Sequence, residues 1–299
     1  MRLGKCGVVT NQQGRELKEH GTSLFPLACY YDDLAKAAIP WHWHDELEMV
    51  VVETGTAAAG VNGQIYTVEQ GNGFFIRSGA LHGVWNQGKS QCRLHSVVFH
   101  PRLVGGSVDS IFWQGYVEPL LSDSFPEFIC FHRAVDWEAA ATAAIEETWE
   151  TAADGERGYE FSVRGALSRV IFLLSCHLPT RNEPPSERTL RNGDRIKTML
   201  QYVQDHYGEE LTTAGIARSA SVSESECLRC FRKMIGTTPI QYVRQFRVQK
   251  AAELLTATDQ TIAEIGAACG FQEMSYFAKV FREIKGCTPS EYRRTERNI

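Results

Sequence analysis

From Ala38 to about His100, apolar and polar positions alternate in short runs at Glu48–Glu53, Gln64–Val68, Gly73–Ile76 and Leu94–Phe99. A period of two sends successive side chains to opposite faces, so each run predicts a strand. Gly55, Asn62-Gly63, Gly71 and Gly79 separate the runs, as turns require. Short strands punctuated this regularly predict a sandwich or barrel. Further along the period changes. Trp137, Ala141, Ile145 and Trp149 advance by fours, and Phe161 to Leu178 continues that spacing through Leu167, Val170, Ile171 and Leu174. Two amphipathic helices follow from this pattern, with an apolar stripe that suits either core against the barrel or an interface with a second copy. Pro179 to Asn192, with Pro184-Pro185 and many charges, has no period and predicts an exposed linker.

Beyond the linker two stretches repeat at a spacing of 50 residues. Phe231-Arg232, Gly236, Thr238-Pro239 and Tyr242 return as Phe281-Arg282, Gly286, Thr288-Pro289 and Tyr292. A duplicated supersecondary unit fixes the local architecture. In the first copy an apolar run from Leu211-Thr212 through Ile216-Ala217 is broken at Ser219 to Ser221. Ser223 with Glu226 then has capping-box spacing ahead of a helix from Glu224 to Lys233. Cys227, Leu228 and Phe231 can face a core there, leaving Ser225, Arg229 and Arg232 outward. In the second copy Thr261 and Glu264 open a helix from Ile262 to Cys269, which Gly270 stops. Phe277 and Phe281 anchor its second helix, with Met274 and Lys279 outward. Each Thr-Pro supplies a cap followed by a proline at the first helical position. Two helices, a tight turn and polar side chains on the second helix make a helix-turn-helix. A helix from about Pro239 to Leu255, apolar at Val243, Phe246 and Ala251-Ala252, would join the two readers.

Residues 196–294 resemble the C-terminal DNA-binding domain of the arabinose-regulator (AraC/XylS) family of bacterial transcription factors. The likeness is carried by Ile265 to Gly270, Gly270-Phe271, Ser275-Tyr276-Phe277 and Gly286 to Arg293. Cys227 departs from the family's usual leucine, which alters packing more than role. The resemblance implies that Ser225, Leu228 and Arg229, and then Glu273, Met274 and Lys279, face base edges. Arg232, Arg244, Tyr276 and Arg282 would touch phosphates.

Composition agrees with this organisation. The 299 residues allow two domains, and 43% hydrophobic with 22% charged residues are globular values. No apolar run reaches the roughly 18 residues of a membrane span, and the start lacks a signal-peptide core, so the cytoplasm is expected. The net charge of −5 is unevenly spread: residues 190–299 hold 16 Lys+Arg against 13 Asp+Glu, and the remainder 15 against 23. Phosphate contact needs local positive charge rather than a basic total. Nine cysteines form no even framework and are expected to be reduced. Cys227 and Cys230 have CxxC spacing without a second pair, which reads as packing.

His42-Trp43-His44 is followed by Glu48 and Gly55, and later by His82 and Asn86. Alternate strand positions would put His42, His44, Glu46 and Glu48 on one face. The spacing resembles the cupin pattern of His-x-His, three residues, Glu, six residues and Gly, with a distant His and Asn. Ser78 stands where a proline is common, and one glycine of the second motif is missing. The resemblance implies a divalent metal at His42, His44, Glu48 and His82, and imidazoles with a carboxylate suit Zn, Fe, Mn or Ni. The same four side chains could instead contact a polar effector directly. Asp45 and Glu46 are nearby acceptors for the imidazoles. Trp41 and Trp43 fall on the opposite face as packing residues.

The expected fold is therefore α+β. A cupin-like β-barrel with two flanking helices (1–178) serves effector binding and dimerisation. A linker (179–192) leads to an all-α domain of two helix-turn-helix units (193–299). The expected function is a ligand-responsive transcription regulator rather than an enzyme. Double-stranded DNA, a small-molecule effector such as a sugar and a second copy of the chain are its partners, with RNA polymerase as a further candidate and no membrane. Its rivals are a metal-dependent cupin enzyme with a DNA-binding tail, and a constitutive DNA binder whose barrel only dimerises.

Overall fold

The computed structural model describes Glu16 and residues 20–22, 24–88, 91–178 and 187–297. It forms two compact units, the first ending at Arg191 and the second continuing from Asn192.

Among the described residues the first unit has nine strands: β1 (Leu27–Asp33), β2 (Ile39–His42), β3 (Leu47–Thr54), β4 (Thr56–Val61), β5 (Gln64–Glu69), β6 (Gly73–Ile76), β7 (His82–Asn86), β8 (Arg93–Phe99) and β9 (Phe128–Phe131). They build two antiparallel sheets, ordered β1-β8-β3-β6-β9 and β2-β7-β4-β5. The sheets share an apolar interior in which Val50 and Val52 of β3 meet Ala57, Ala59 and Val84 of the other sheet. Met49 and Val51, on the opposite face of β3, pack against two long helices, α3 (Asp136–Asp154) and α4 (Tyr159–His177). Covering both faces explains why β3 reads as a nearly continuous apolar run. It also places Glu48, in phase with Val50 and Val52, on the face between the sheets.

The strands absent from the sequence reading are β1, β2, β4, β7 and β9. β4 is the instructive case, because its alanine run carries little strand propensity. Glycine is required at position 60: a Cβ on Gly60 would lie 2.6 Å from the Trp41 ring and 2.8 Å from the Trp85 ring. Those two indoles pack with ring centroids 6.2 Å apart.

The apolar stripes of α3 and α4 belong to the core of their own unit. Ala141, Ile145, Leu167, Val170, Ile171 and Leu174 are buried in one cluster with Leu47, Phe75 and Val97 of the sheet. The stripe is thus not free to meet a second copy, and the larger apolar side chains left outside on α4 are Phe161 and Phe172. Truncating a stripe residue such as Leu167 to Ala should cost about 2–5 kcal/mol.

The second unit is helical: α5 (Glu187–His206), α6 (Thr213–Ser219), α7 (Glu224–Met234), α8 (Pro239–Ala257), α9 (Ile262–Ala268), α10 (Met274–Lys285) and α11 (Pro289–Arg297). In the first unit, α1 (Arg102–Gly105) and α2 (Glu118–Leu121) are single short turns, with a π-helical stretch at Trp113–Val117 leading into α2. Of the expected linker, residues 179–186 lie outside the described residues, and Glu187 to Asn192 are already helical. Side-chain caps start α6, α7, α8 and α9, whereas α10 begins at Glu273 without one. Reciprocal capping boxes join Thr238 with Gln241 and Thr261 with Glu264. Ser223 accepts from the Glu226 amide at 3.2 Å without the return bond, because the Glu226 carboxylate turns to Arg229 instead. Each such cap is worth about 0.5–2 kcal/mol.

The duplication is visible in the packing. Phe231 meets Tyr242 at 5.9 Å between ring centroids, and Phe281 meets Tyr292 at 5.5 Å. α8 serves both readers, burying Tyr242, Val243 and Phe246 early and Val248, Ala251, Ala252 and Leu255 later. Among the described residues no helix is long and apolar enough to cross a membrane.

Candidate functional site

Four residues from three strands and one loop converge inside the first unit. His42 ends β2 and pairs with His82, which starts β7. Glu48 comes from β3 in the other sheet. His44 is not on a strand: β2 stops at His42, and the chain bends through Asp45 and Glu46 before β3. Ser78 Oγ donates to the Asp45 carbonyl at 2.8 Å, and the Gly79 amide to the His44 carbonyl at 2.8 Å, which pins this bend. The single strand face expected for His42, His44, Glu46 and Glu48 is therefore not formed. Glu46 leaves the cluster and approaches the back of His44, with its carboxylate 3.8 Å from Nδ1.

His42, His44, Glu48 and His82 are all buried, and one ligand atom from each lies within 4.8 Å of the others. Every imidazole is oriented by a backbone carbonyl. His42 Nδ1 donates to Pro40 O at 2.8 Å, His82 Nδ1 to Ala80 O at 2.9 Å and His44 Nδ1 to Glu46 O at 3.2 Å. A carbonyl only accepts, so each Nδ1 carries hydrogen and each Nε2 is left for the centre. Glu48 Oε2 lies 3.3 Å from His44 Nε2 and 2.9 Å from His82 Nε2. The second contact is short but not aligned as a hydrogen bond, so His82 Nε2 is buried without a partner of that kind.

Burial and mutual charge set the protonation. Burial, with repulsion from His82, pushes His42 down to about 3, which keeps it neutral. Burial alone would raise Glu48, but its close contacts with His44 and His82 outweigh that and hold it well below the usual carboxylate range. His44 is raised: burial opposes its charge, and the Glu48 carboxylate overcomes that opposition.

The orienting groups differ from those expected. The carbonyls of Pro40, Glu46 and Ala80 do what the side chains of Asp45 and Glu46 were expected to do. Asn86 sits at the other end of β7, where its side chain accepts from the Gly88 amide at 2.9 Å. Two neighbours have no motif to announce them. Glu16 Oε2 lies 3.6 Å from His42 Nε2 and 3.1 Å from His20 Nε2, and His20 Nδ1 is 2.9 Å from the Tyr30 hydroxyl. Both lie upstream of any periodic pattern, so only the fold brings them here.

The quartet suits a divalent cation. Donors each about 2.1 Å from one ion lie roughly 3.0–4.2 Å apart, depending on the angle between them. The observed 2.9 and 3.3 Å separations and the 4.8 Å limit require only small side-chain adjustments. His82 Nε2, buried against the Glu48 carboxylate without an aligned hydrogen bond, is a donor that a cation would engage.

In the second unit Ser225, Arg229 and Arg232 are exposed on α7, and Leu228 is half-buried. The Arg229 guanidinium is held by Glu226, which also lies 3.6 Å from Arg195. Glu273, Lys279 and Arg282 are exposed on or just before α10. Arg244 of α8 stacks over the exposed ring of Tyr276 at 5.6 Å. Met274 is the exception to the expected outward set. It is half-buried and packs with Phe277 and Ile265, and a Cβ on Gly266 would lie 2.6 Å from its methyl. Helical spacing alone cannot see that α9 offers a glycine notch there. Cys227 and Cys230 are free thiols buried on the inner side of α7, with burial pushing Cys227 up to about 12.

Comparison with known proteins covers both units. The family model of an AraC-like ligand binding domain matches residues 24–152, and that of a helix-turn-helix domain matches residues 216–295. The uncharacterized HTH-type transcriptional regulator YdeC of Bacillus subtilis is 28% identical, over 96% of this chain and 98% of its own. The HTH-type transcriptional activator RhaS of Klebsiella pneumoniae is 26% identical, over 87% of this chain and 89% of its own. Among solved structures, the C-terminal domain of AraT, a response regulator from Geobacillus stearothermophilus, is 32% identical over 34% of this chain and 84% of its own, with a TM-score of 0.33.

Proposed function

We propose, for a chain that belongs to the AraC/XylS family of ligand-responsive, DNA-binding transcription regulators, that His42, His44, Glu48 and His82 form its sensing site and hold a divalent metal. The observation that carries this is the shared orientation of three buried imidazoles, each with Nδ1 spent on a carbonyl and Nε2 left for the cluster that holds Glu48. Fixed tautomers of this kind favour metal ligation over loose hydrogen bonding. A metal with open positions takes oxygen donors, so the effector class that suits the site is a sugar or a hydroxy acid. The bound molecule is sensed rather than turned over, which separates this proposal from a metal-dependent cupin enzyme.

On the DNA side, α7 and α10 are the proposed readers. Ser225, Arg229, Glu273 and Lys279 would face bases, with Leu228 at the edge, while Arg232, Arg244, Tyr276 and Arg282 would face phosphates. Met274 acts from beneath α10 rather than on a base. The protein is proposed to work in the cytoplasm as a homodimer, and exposed Phe161 and Phe172 on α4 are the candidate contact.

A metal-free pocket is the second reading. It is favoured by the His44–Glu48 hydrogen bond, in which a proton fills the place a cation would take. Metal analysis of protein purified without an affinity tag separates the two. The proposal expects about one equivalent, present on purification or restored by Zn, Mn, Fe or Ni, and a value below about a tenth after such addition contradicts it. A thermal-shift screen with sugars and hydroxy acids then identifies the effector class, since a true ligand raises stability with concentration.

A further inference from the structure

One buried carboxylate beside the cluster is not accounted for by the four-residue site. The Glu16 side chain is almost fully enclosed, and its Oε1 has no hydrogen-bond partner. Its Oε2 faces His42 Nε2 at 3.6 Å. Since His42 Nδ1 donates to Pro40 O, the neutral ring presents a lone pair at Nε2. A lone pair and a carboxylate oxygen facing one another repel unless a proton or a cation lies between them. A cation beside His42 Nε2 would relieve that repulsion and offer the orphaned Glu16 carboxylate a partner. Glu16 is also held in place: its amide donates to Trp43 O at 2.8 Å, and its carboxylate is braced by His20, which is braced by Tyr30.

We infer that Glu16 is a further ligand of the metal centre, joining His42, His44, Glu48 and His82. This rests on the metal reading of the quartet. Three imidazole nitrogens and two carboxylates form a five-ligand N/O set. Such a set suits Mn, Fe, Co or Ni with one remaining position for an oxygen of the effector, rather than a closed tetrahedral Zn site.

The test is a Co(II) titration of the full-length, tag-free, metal-stripped protein, comparing the parent with Glu16→Gln and Glu16→Asp. Stoichiometry, affinity by chelator competition and the visible d–d spectrum are read, and thermal unfolding of each metal-free form checks the fold. The parent should bind about one equivalent with the weak absorption of a five- or six-coordinate ion. Glu16→Gln should bind about 10–100-fold more weakly, with a changed spectrum. If the parent binds and Glu16→Gln matches it in affinity and spectrum, Glu16 is only a structural partner of His20 and the inference is overturned while the quartet stands. If the parent binds no Co(II), the metal reading itself fails and this inference with it. If Glu16→Gln does not fold, Glu16→Asp decides: a shifted spectrum supports ligation, and an unchanged one overturns it.

Discussion

His42 and His82 pair across β2 and β7 with ring centroids 4.2 Å apart, and each donates Nδ1 to the carbonyl two residues before it. The same local bond made twice on neighbouring antiparallel strands gives two imidazoles fixed in orientation without any side-chain brace. Glu48 enters from the opposite sheet, so the site spans the interior of the unit and depends on both sheets keeping their register.

That arrangement has a pH signature in the metal-free protein. His42 has a folded-state value near 3, against about 6.5 when unfolded, so the unfolded chain binds more protons in that window. Its contribution is fully present above about pH 6.5 and is lost as pH falls toward 3. His44 is raised and acts oppositely, adding stability below about 6.5 that is lost as pH rises. Thermal unfolding of the metal-free parent and of His42→Gln between pH 4.5 and 8 checks the sign. The variant should lose less stability on acidification than the parent; an equal or steeper loss would show that His42 is not held neutral.

Arg229 and Arg232 should separate base reading from phosphate binding. Arg229→Ala is expected to cost about 1–3 kcal/mol on the preferred operator and relax preference at one base pair. Arg232→Ala should weaken specific and random DNA alike and reduce the salt slope by about one. Anisotropy titrations on both DNAs across a salt series measure this, and equal losses from both variants on both DNAs would refute the sorting.

Met274 offers a packing test. Gly266→Ala should destabilise the second unit by about 1–3 kcal/mol, because the new Cβ meets the Met274 methyl and the Phe277 ring. Adding Met274→Ala should recover part of that loss, a coupling that a double-mutant cycle resolves. Purely additive effects would mean that Met274 points to the DNA after all.

α8 supplies core residues to both readers, which should fix their spacing. Hydroxyl-radical footprints are expected to show two protected segments about 34–36 Å apart on one face of the DNA. A single continuous segment, or two whose separation varies between sites, would contradict a rigid join.

Much of this was legible because duplication and period survive in the sequence. The repeated Phe-Arg, Gly, Thr-Pro and Tyr positions located α7, α8, α10 and α11, and period-two runs located β3, β5, β6 and β8. What escaped depended on neighbours remote in sequence. β4 carries Gly60 because Trp41 and Trp85 fill the space above it. The α3 and α4 stripes could have faced a second copy, and only the sheet beneath them decides otherwise. His42, His44, Glu48 and His82 were legible as a motif, but the bend that carries His44 inward and turns Glu46 aside depends on Ser78 and Gly79. Glu16 carries no local signal.

X-ray absorption at the metal edge of tag-free protein, reconstituted with Mn, Fe, Co or Ni, tests the central claim most directly. The account predicts nitrogen and oxygen donors at about 2.0–2.2 Å, with outer-shell scattering from about three imidazoles that is lost in part when His44 is replaced by glutamine. An ion surrounded by oxygen alone, or no bound ion, would contradict it.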